Sequence, residues 1–226
     1  MPPPTWTKAG YAYEQVRRRI MAGALESGQT LPLGQLTEEF GVSMTPMREA
    51  LRRLDAEGLV VIDVHRNARV AALSAEEAVH LFELREKLDP MAASLAAERR
   101  SKADSEHIRA TLDRMQPLED EHDLDALAAH RDFHRAVYRA SRNPLLIETL
   151  EGLWDKADRY RQLGIASLRD DEDDRARVHR EHTAIAEAVI GGDAETAEQE
   201  MLAHVRGSLG RRAIGVLDPA TERDKS

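Results

Sequence analysis

The chain has 226 residues, no cysteine, 4% aromatic and 32% charged residues, and a net charge of −9. That length suits one large domain or two small ones, and the missing thiols exclude disulfides and thiolate chemistry, leaving His, Asp and Glu as candidate metal ligands. The acidity is uneven: residues 1–73 hold nine Lys and Arg against eight Asp and Glu, a net of +1, and the rest hold 23 against 33, a net of −10. DNA binding needs a basic face and not a basic protein, so the acidic total does not exclude it. The start, Met-Pro-Pro-Pro-Thr-Trp, carries no apolar segment, and no later run reaches membrane-spanning length. We therefore expect a cytoplasmic protein with no membrane partner.

Residues 1–7 read as a disordered tail. From Lys8 to about Ala24, Tyr13, Val16, Ile20 and Met21 recur at helical spacing, with Arg17, Arg18 and Arg19 turned to solvent. Gly28 to Pro32 reads as a turn. Gly34 to Phe40 forms a short helix with Leu36 and Phe40 on one face, and Gly41 turns the chain. The next helix opens at Ser43, a good N-cap, tolerates Pro46 in its first turn and stops at Gly58. The β-branched runs 59–64 and 69–71, around His65-Arg66-Asn67-Ala68, predict a hairpin in which Asn67 takes the left-handed turn position. Helix, turn, helix and hairpin make a winged helix over residues 8–73.

Ser74-Ala-Glu-Glu77 is a capping-box signature that opens an all-helical domain over 74–217, followed by a tail at 218–226. Its helices are predicted at 75–100, 103–119, 122–141, 144–166, 171–190 and 194–215. The breaks fall at Asn143-Pro144, at the acidic run 170–174 and at Gly191-Gly192-Asp193. The fold class is mainly α: an N-terminal winged helix-turn-helix and a C-terminal helical bundle.

In a helix-turn-helix the second helix enters the major groove. At its start Ser43 and Thr45 offer hydroxyls, and Arg48 and Arg52, four apart, share one stripe off the apolar face, with Arg53 beside it. Arginine suits phosphate or guanine contact, because its fork grips O6 and N7 together. Arg66 and Arg69 in the wing extend the set toward flanking backbone or minor groove. The competing explanation is i,i+4 pairing with Glu49 or Glu57 on an ordinary solvated helix. Further on, His130 and His134 lie four apart on one helix, good geometry for two ligands on one metal, or two histidines that merely share a face.

The stretch GVSMTPMREALRRLDAEGLVVIDVHRNARVAALS resembles the winged-helix domain of GntR-type transcriptional regulators. The remainder, with ELREKLDP, FHRAVYRASRNPLL and EHTAIAEAVIGGDAETAEQEMLAHV, resembles the FadR-like, FCD-type ligand domain. The resemblance covers about Lys8 to Val216. It implies a homodimer on a pseudo-palindromic operator, released by a small carboxylate effector, with repression as the expected mode. It also implies a metal site in the helical domain, for which His134, His182 and His204 match three ligands and His130 stands where the family has Asp. Asp132, two residues from His134, is about 200° around the helix and a poor replacement. Imidazole suits zinc or nickel. His179 is a reserve ligand, and His65, His80, His107 and His122 carry no assigned role. Arg85, in ELREKLDP, is implied to face the cavity and bind a carboxylate, against an exposed i,i+4 pair with Asp89. Arg159, Tyr160 and Arg161 add polar groups that spacing does not rank. A second departure is Met44, where the family usually has Arg; it predicts a shifted operator or weaker DNA binding, with Arg48 as main reader. Two other functions fit parts of the chain: a metal-dependent enzyme, or a DNA-binding protein with a purely structural metal.

Overall fold

Helix α1 spans Lys8–Met21 and opens where the Thr7 hydroxyl accepts the Gly10 N–H at 3.0 Å, so Thr7 is a helix cap and not part of a loose tail. The computed structural model describes residues 6–63, 68–115, 123–167 and 172–218 and divides into two units, Met1–Leu73 and Ser74–Ser226. In the first unit α1 is followed by α2 (Leu33–Phe40), α3 (Met44–Ala56), β1 (Val60–Ile62) and β2 (Ala68–Val70). Tyr13, Val16, Ile20, Leu36, Phe40, Met47, Leu51 and Leu54, all predicted apolar-face positions, are buried in one core with Leu59, Val60 and Val70. Hydrophobic spacing at 3.6 residues per turn thus accounts for all three helices.

Two left-handed glycines shape the motif. Gly41 (φ 63°) ends α2, with its N–H on the Glu38 carbonyl and Val42 N–H on that of Thr37. Gly58 (φ 72°) does the same after α3, with Leu59 N–H reaching back to Leu54. In both, the positive φ lets the chain reverse and satisfy the last carbonyls, at a position where a Cβ is disfavoured. The wing is antiparallel, in register Val60↔Val70, Val61↔Arg69 and Ile62↔Ala68. Its turn, with His65, Arg66 and Asn67, lies outside the described residues. The segment read as a plain turn at 28–32 pairs with β2: Gly28 and Leu31 donate to the carbonyls of Val70 and Ala68, and Thr30 bridges to Arg69. Too short and irregular to carry a strand pattern, it covers the free edge of the wing.

The second unit is helical among the described residues: α4 (Ala75–Arg99), α5 (Lys102–Arg114), α6 (Leu124–Ala140), α7 (Pro144–Ser167), α8 (Glu172–Gly191), α9 (Ala194–Gly207) and α10 (Leu209–Leu217). Helix α4 is central, packing against α6, α7, α8, α9 and α10. Its buried alanines at 78, 92, 93, 96 and 97 let neighbours approach closely, and it runs on through Pro90. The predicted 194–215 helix is in fact two. Ser208 adopts extended backbone, closes α9 and caps α10 by accepting the Arg211 N–H at 3.3 Å. A serine hydroxyl competing for backbone donors favours such a break. Glu86 on α4 holds both sides of it, through Arg206 and Arg211.

The Ser74 signature is half realised. Ser74 caps α4 by accepting the Glu77 N–H, but the Glu77 carboxylate takes Lys156 Nζ and the Tyr160 hydroxyl, each at 2.7 Å. The reciprocal box forms instead at α5, between Ser101 and Asp104.

Candidate DNA-reading face and histidine centre

Helix α3 buries Met47, Ala50, Leu51 and Leu54 and exposes Thr45, Arg48, Arg52 and Arg53. Ser43 stands at its N-cap position in extended backbone and makes no capping bond with its side chain, so that hydroxyl is not committed to the helix end. Arg48 and Arg52 make no hydrogen bond or ion pair among the described residues. With Leu33, Leu51, Ile62 and Ala68 they line a cleft of about 160 Å³. The i,i+4 pairing that would have neutralised this stripe occurs one position over. Arg53 lies on the Tyr13 ring, 3.7 Å from its centroid, and bonds Glu57 at 3.1 Å. Tyr13 donates to the same carboxylate at 2.7 Å. Burial and the Glu57 charge push the Tyr13 hydroxyl well above its ordinary value. In the wing Arg69 is exposed and stands 3.9 Å from Asp63; Arg66 lies outside the described residues. Met44 is 39% exposed at the first position of α3.

The second unit gathers four histidines. Helix α6 supplies His130 and His134 one turn apart, α8 supplies His182 and α9 His204, all buried, with one ligand nitrogen of each within 4.8 Å of the others. Nε2 of His182 lies 3.2 Å from Nε2 of both His134 and His130. A tetrahedral zinc with bonds of about 2.0–2.1 Å requires ligand nitrogens about 3.3 Å apart, a spacing that the two pairs made by His182 match, and the four donors together could hold such an ion. Two rings are set by their other nitrogen: His182 Nδ1 lies 2.7 Å from the Val178 carbonyl and His204 Nδ1 2.9 Å from Glu181 Oε2. With Nδ1 donating, Nε2 keeps the lone pair that faces the centre. Nδ1 of His130 and His134 are buried with no partner among the described residues.

Burial, with the cationic Arg161 nearby and the other rings, holds His130, His134 and His182 far below their ordinary pKa. His204 is lowered too, by burial against the opposing pull of Glu181. The imidazoles are therefore neutral, the form that binds metal without first losing a proton.

Helix α7 forms one wall, with Trp154, Asp158 and Arg161 on one face at i, i+4 and i+7. The Trp154 ring lies 5.8 and 5.2 Å from the rings of His130 and His134. Three guanidinium carbons approach the same ring: Arg85 at 5.1, Arg161 at 5.4 and Arg131 at 5.7 Å. Arg131 bridges Asp155 and Asp158, and Arg161 gives Nη1 to Asp158. Burial beside Arg85 brings Arg161 down to about 10.

Arg85 is not the exposed member of a surface pair. It is 3% exposed, and its Nε and Nη2 both donate to Asp89 Oδ2, which also accepts the Tyr138 hydroxyl at 3.1 Å. The spacing to Asp89 was legible, but the burial that changes its meaning was not. His179, the reserve ligand, is exposed and outside the cluster, as are His80 and His107. Asp132 is exposed and pairs with Arg135. Trp154, Asp158 and Glu181 had no signal in the sequence beyond the adjacency of Glu181 to His182.

A helix-turn-helix with a paired wing and an open arginine stripe defines a winged-helix DNA-binding protein. Residues 8–70 match the model of bacterial regulatory proteins, gntR family, and residues 80–207 that of the FCD domain. The chain belongs to the gntR family of transcriptional regulators and carries an FCD domain. It is 34% identical over 206 residues to the HTH-type transcriptional regulator LutR of Bacillus subtilis (82% of this chain, 92% of that protein). It is 29% identical over 209 residues to the HTH-type transcriptional repressor GlaR of Escherichia coli (85% and 90%). The solved structure of E. coli McbR/YncC matches with a TM-score of 0.75 at 21% identity, over 98% of this chain and 100% of that one, a likeness of fold. These relatives are regulators, which sets aside the enzyme considered from the sequence. No helix among the described residues is long and apolar enough to cross a membrane.

Proposed function

We propose that this regulator represses transcription as a homodimer on a pseudo-palindromic operator, and that a metal-centred site in its helical unit lets a small carboxylate effector control operator affinity. Ser43, Thr45, Arg48 and Arg52 read the major groove, and Arg66 and Arg69 hold flanking backbone. His130, His134, His182 and His204 hold zinc or nickel, which supplies a fixed positive charge for the effector carboxylate. Arg85 adds its Nη1 edge, the part of its fork that Asp89 does not use.

The observation that carries this reading is the 3.2 Å convergence of Nε2 atoms from α6 and α8 beside buried arginines. A buried, neutral, metal-spaced histidine set is costly to assemble without a partner for its lone pairs. The effector can shift operator affinity only through different affinities for the DNA-competent and DNA-incompetent states.

The test uses tag-free full-length protein and an operator selected from random DNA. Elemental analysis is expected to find one zinc or nickel per chain, lost in His134→Ala. A panel of small carboxylates is expected to change operator affinity in the metal-loaded wild type and not in His134→Ala. Metal bound with no carboxylate response leaves a structural metal and overturns effector control; no metal overturns the site itself.

A further inference from the structure

Helix α3 buries three of its four large apolar side chains. Met47, Leu51 and Leu54 are at most 2% exposed and belong to the core, while Met44 is 39% exposed. Met44 also stands in line with the arginines. Residues 44, 48 and 52 recur at i, i+4 and i+8, each about 6 Å further along the axis and about 40° further around it, so all three stay within an arc of about 80°. Arg48 and Arg52 are exposed on that arc, and the core residues lie to one side of it. The stripe therefore presents a thioether chain at the helix tip and two guanidinium groups behind it.

The base edges of the major groove differ in what such a chain can meet. Guanine offers O6 and N7, cytosine its N4 amino group, adenine N7 and its N6 amino group, and thymine O4 and a C5 methyl group. Methionine has no donor, and its sulfur is a weak acceptor. Pressed against guanine, cytosine or adenine, it takes water from a polar group and leaves that group without a hydrogen bond, which costs binding. Against the thymine methyl it removes apolar surface from water on both sides. Thymine is thus the base that this side chain favours at the N-terminal end of α3, where recognition helices contact base edges.

We infer that Met44 is a specificity-determining residue that selects a thymine through its C5 methyl group, within about two base pairs of the base that Arg48 contacts. The window follows from one helical turn of about 6 Å against a base-pair rise of about 3.4 Å. This rests on the reading of α3 as the groove helix. It adds an apolar reader to the hydroxyls and guanidinium groups assigned above and names the base that it selects.

The test titrates tag-free full-length protein into an operator selected from random DNA, with each thymine replaced in turn by deoxyuridine, which lacks only the methyl group. The base pair at which Arg48→Ala loses discrimination marks the window. Within it, wild-type protein is expected to lose about fourfold in affinity at one thymine position of each half-site, the worth of one buried methyl-sized group. At that position 5-methylcytosine is expected to bind about fourfold more tightly than cytosine, because its methyl group stands on the same ring carbon. Met44→Ala, too short to reach, and Met44→Arg, without an apolar end, lose both differences. Met44 lies outside the core, so these variants keep the wild-type fold. Three results overturn the inference: no thymine in the window, a wild-type protein indifferent to every methyl group there, or methyl sensitivity that persists in Met44→Ala. Arg48→Ala separates the two levels. Affinity that falls in Arg48→Ala with no methyl effect in the wild type defeats this inference alone. Affinity untouched by Arg48→Ala defeats the reading of α3 as the groove helix, and this with it.

Discussion

The two units use arginine in opposite ways. On α3, Arg48 and Arg52 are exposed and have no partner among the described residues, so their charge is available to a polyanion. In the helical unit Arg85 and Arg161 are buried, and each is matched to an aspartate on its own helix. An exposed charge in water costs little to keep free, whereas a buried one must be compensated. The first arrangement suits a large ligand that brings many charges and displaces counterions. The second compensates each buried guanidinium within the unit itself. Arg53 confirms the contrast from within the DNA-reading helix: tied to Tyr13 and Glu57, it belongs to the structure of the unit.

The contrast can be broken most forcefully by acid. All four buried histidines titrate below their ordinary value of 6.5. The unfolded chain therefore takes up protons near that pH that the folded metal-free protein refuses. The stability this confers is complete above pH 6.5 and is lost as pH falls toward the depressed folded values. The slope reaches up to about 1.4 kcal/mol per pH unit for each histidine, or about 5.5 for the four. Urea unfolding of metal-free protein at pH 7.5 and 5.5 should show the helical unit collapsing first, with a shallower dependence in His134→Asn. Equal slopes in the two proteins would contradict the burial argument.

Next in size is Asp89→Ala, which strands the buried Arg85 and removes the Tyr138 acceptor. Breaking a buried pair costs about 3–5 kcal/mol, so a large fall in the thermal midpoint of the helical unit is expected, and a midpoint within a degree of wild type would refute it. On the exposed side, Arg48→Ala should weaken operator binding by about 1–3 kcal/mol with little change in stability. Arg53→Ala should do the reverse, costing under about 1 kcal/mol of stability and little affinity. Fluorescence anisotropy and melting of the pair would expose an exchange of these roles. The smallest effect is Met44→Arg, which should raise affinity and steepen the salt dependence by about one ion; an unchanged slope would show that the tip of α3 makes no phosphate contact.

Much of the first unit was legible because its signals are local. Leu36, Phe40, Met47, Leu51 and Leu54 announce their helices by spacing, and Gly41 and Gly58 their ends by the one conformation that glycine adopts freely. The 28–31 edge strand was not, since backbone pairing with β2 leaves no side-chain pattern. In the second unit the helices were legible and the break at Ser208 was not, because an apolar rhythm continues across it. His130 and His134 could be paired by a turn of helix. Their meeting with His182 and His204 followed from the family resemblance alone.

By itself the sequence determined which segments are helical, where most of them end, and which arginines on α3 lie off the core, since each depends on neighbours within about four residues. Tertiary packing alone decided that four imidazoles converge within 4.8 Å, that Arg85 is buried and bound to Asp89, and that Arg161 is buried beside Trp154 and bound to Asp158. Those facts depend on distance and desolvation between helices far apart in the chain, and no local pattern carries either quantity.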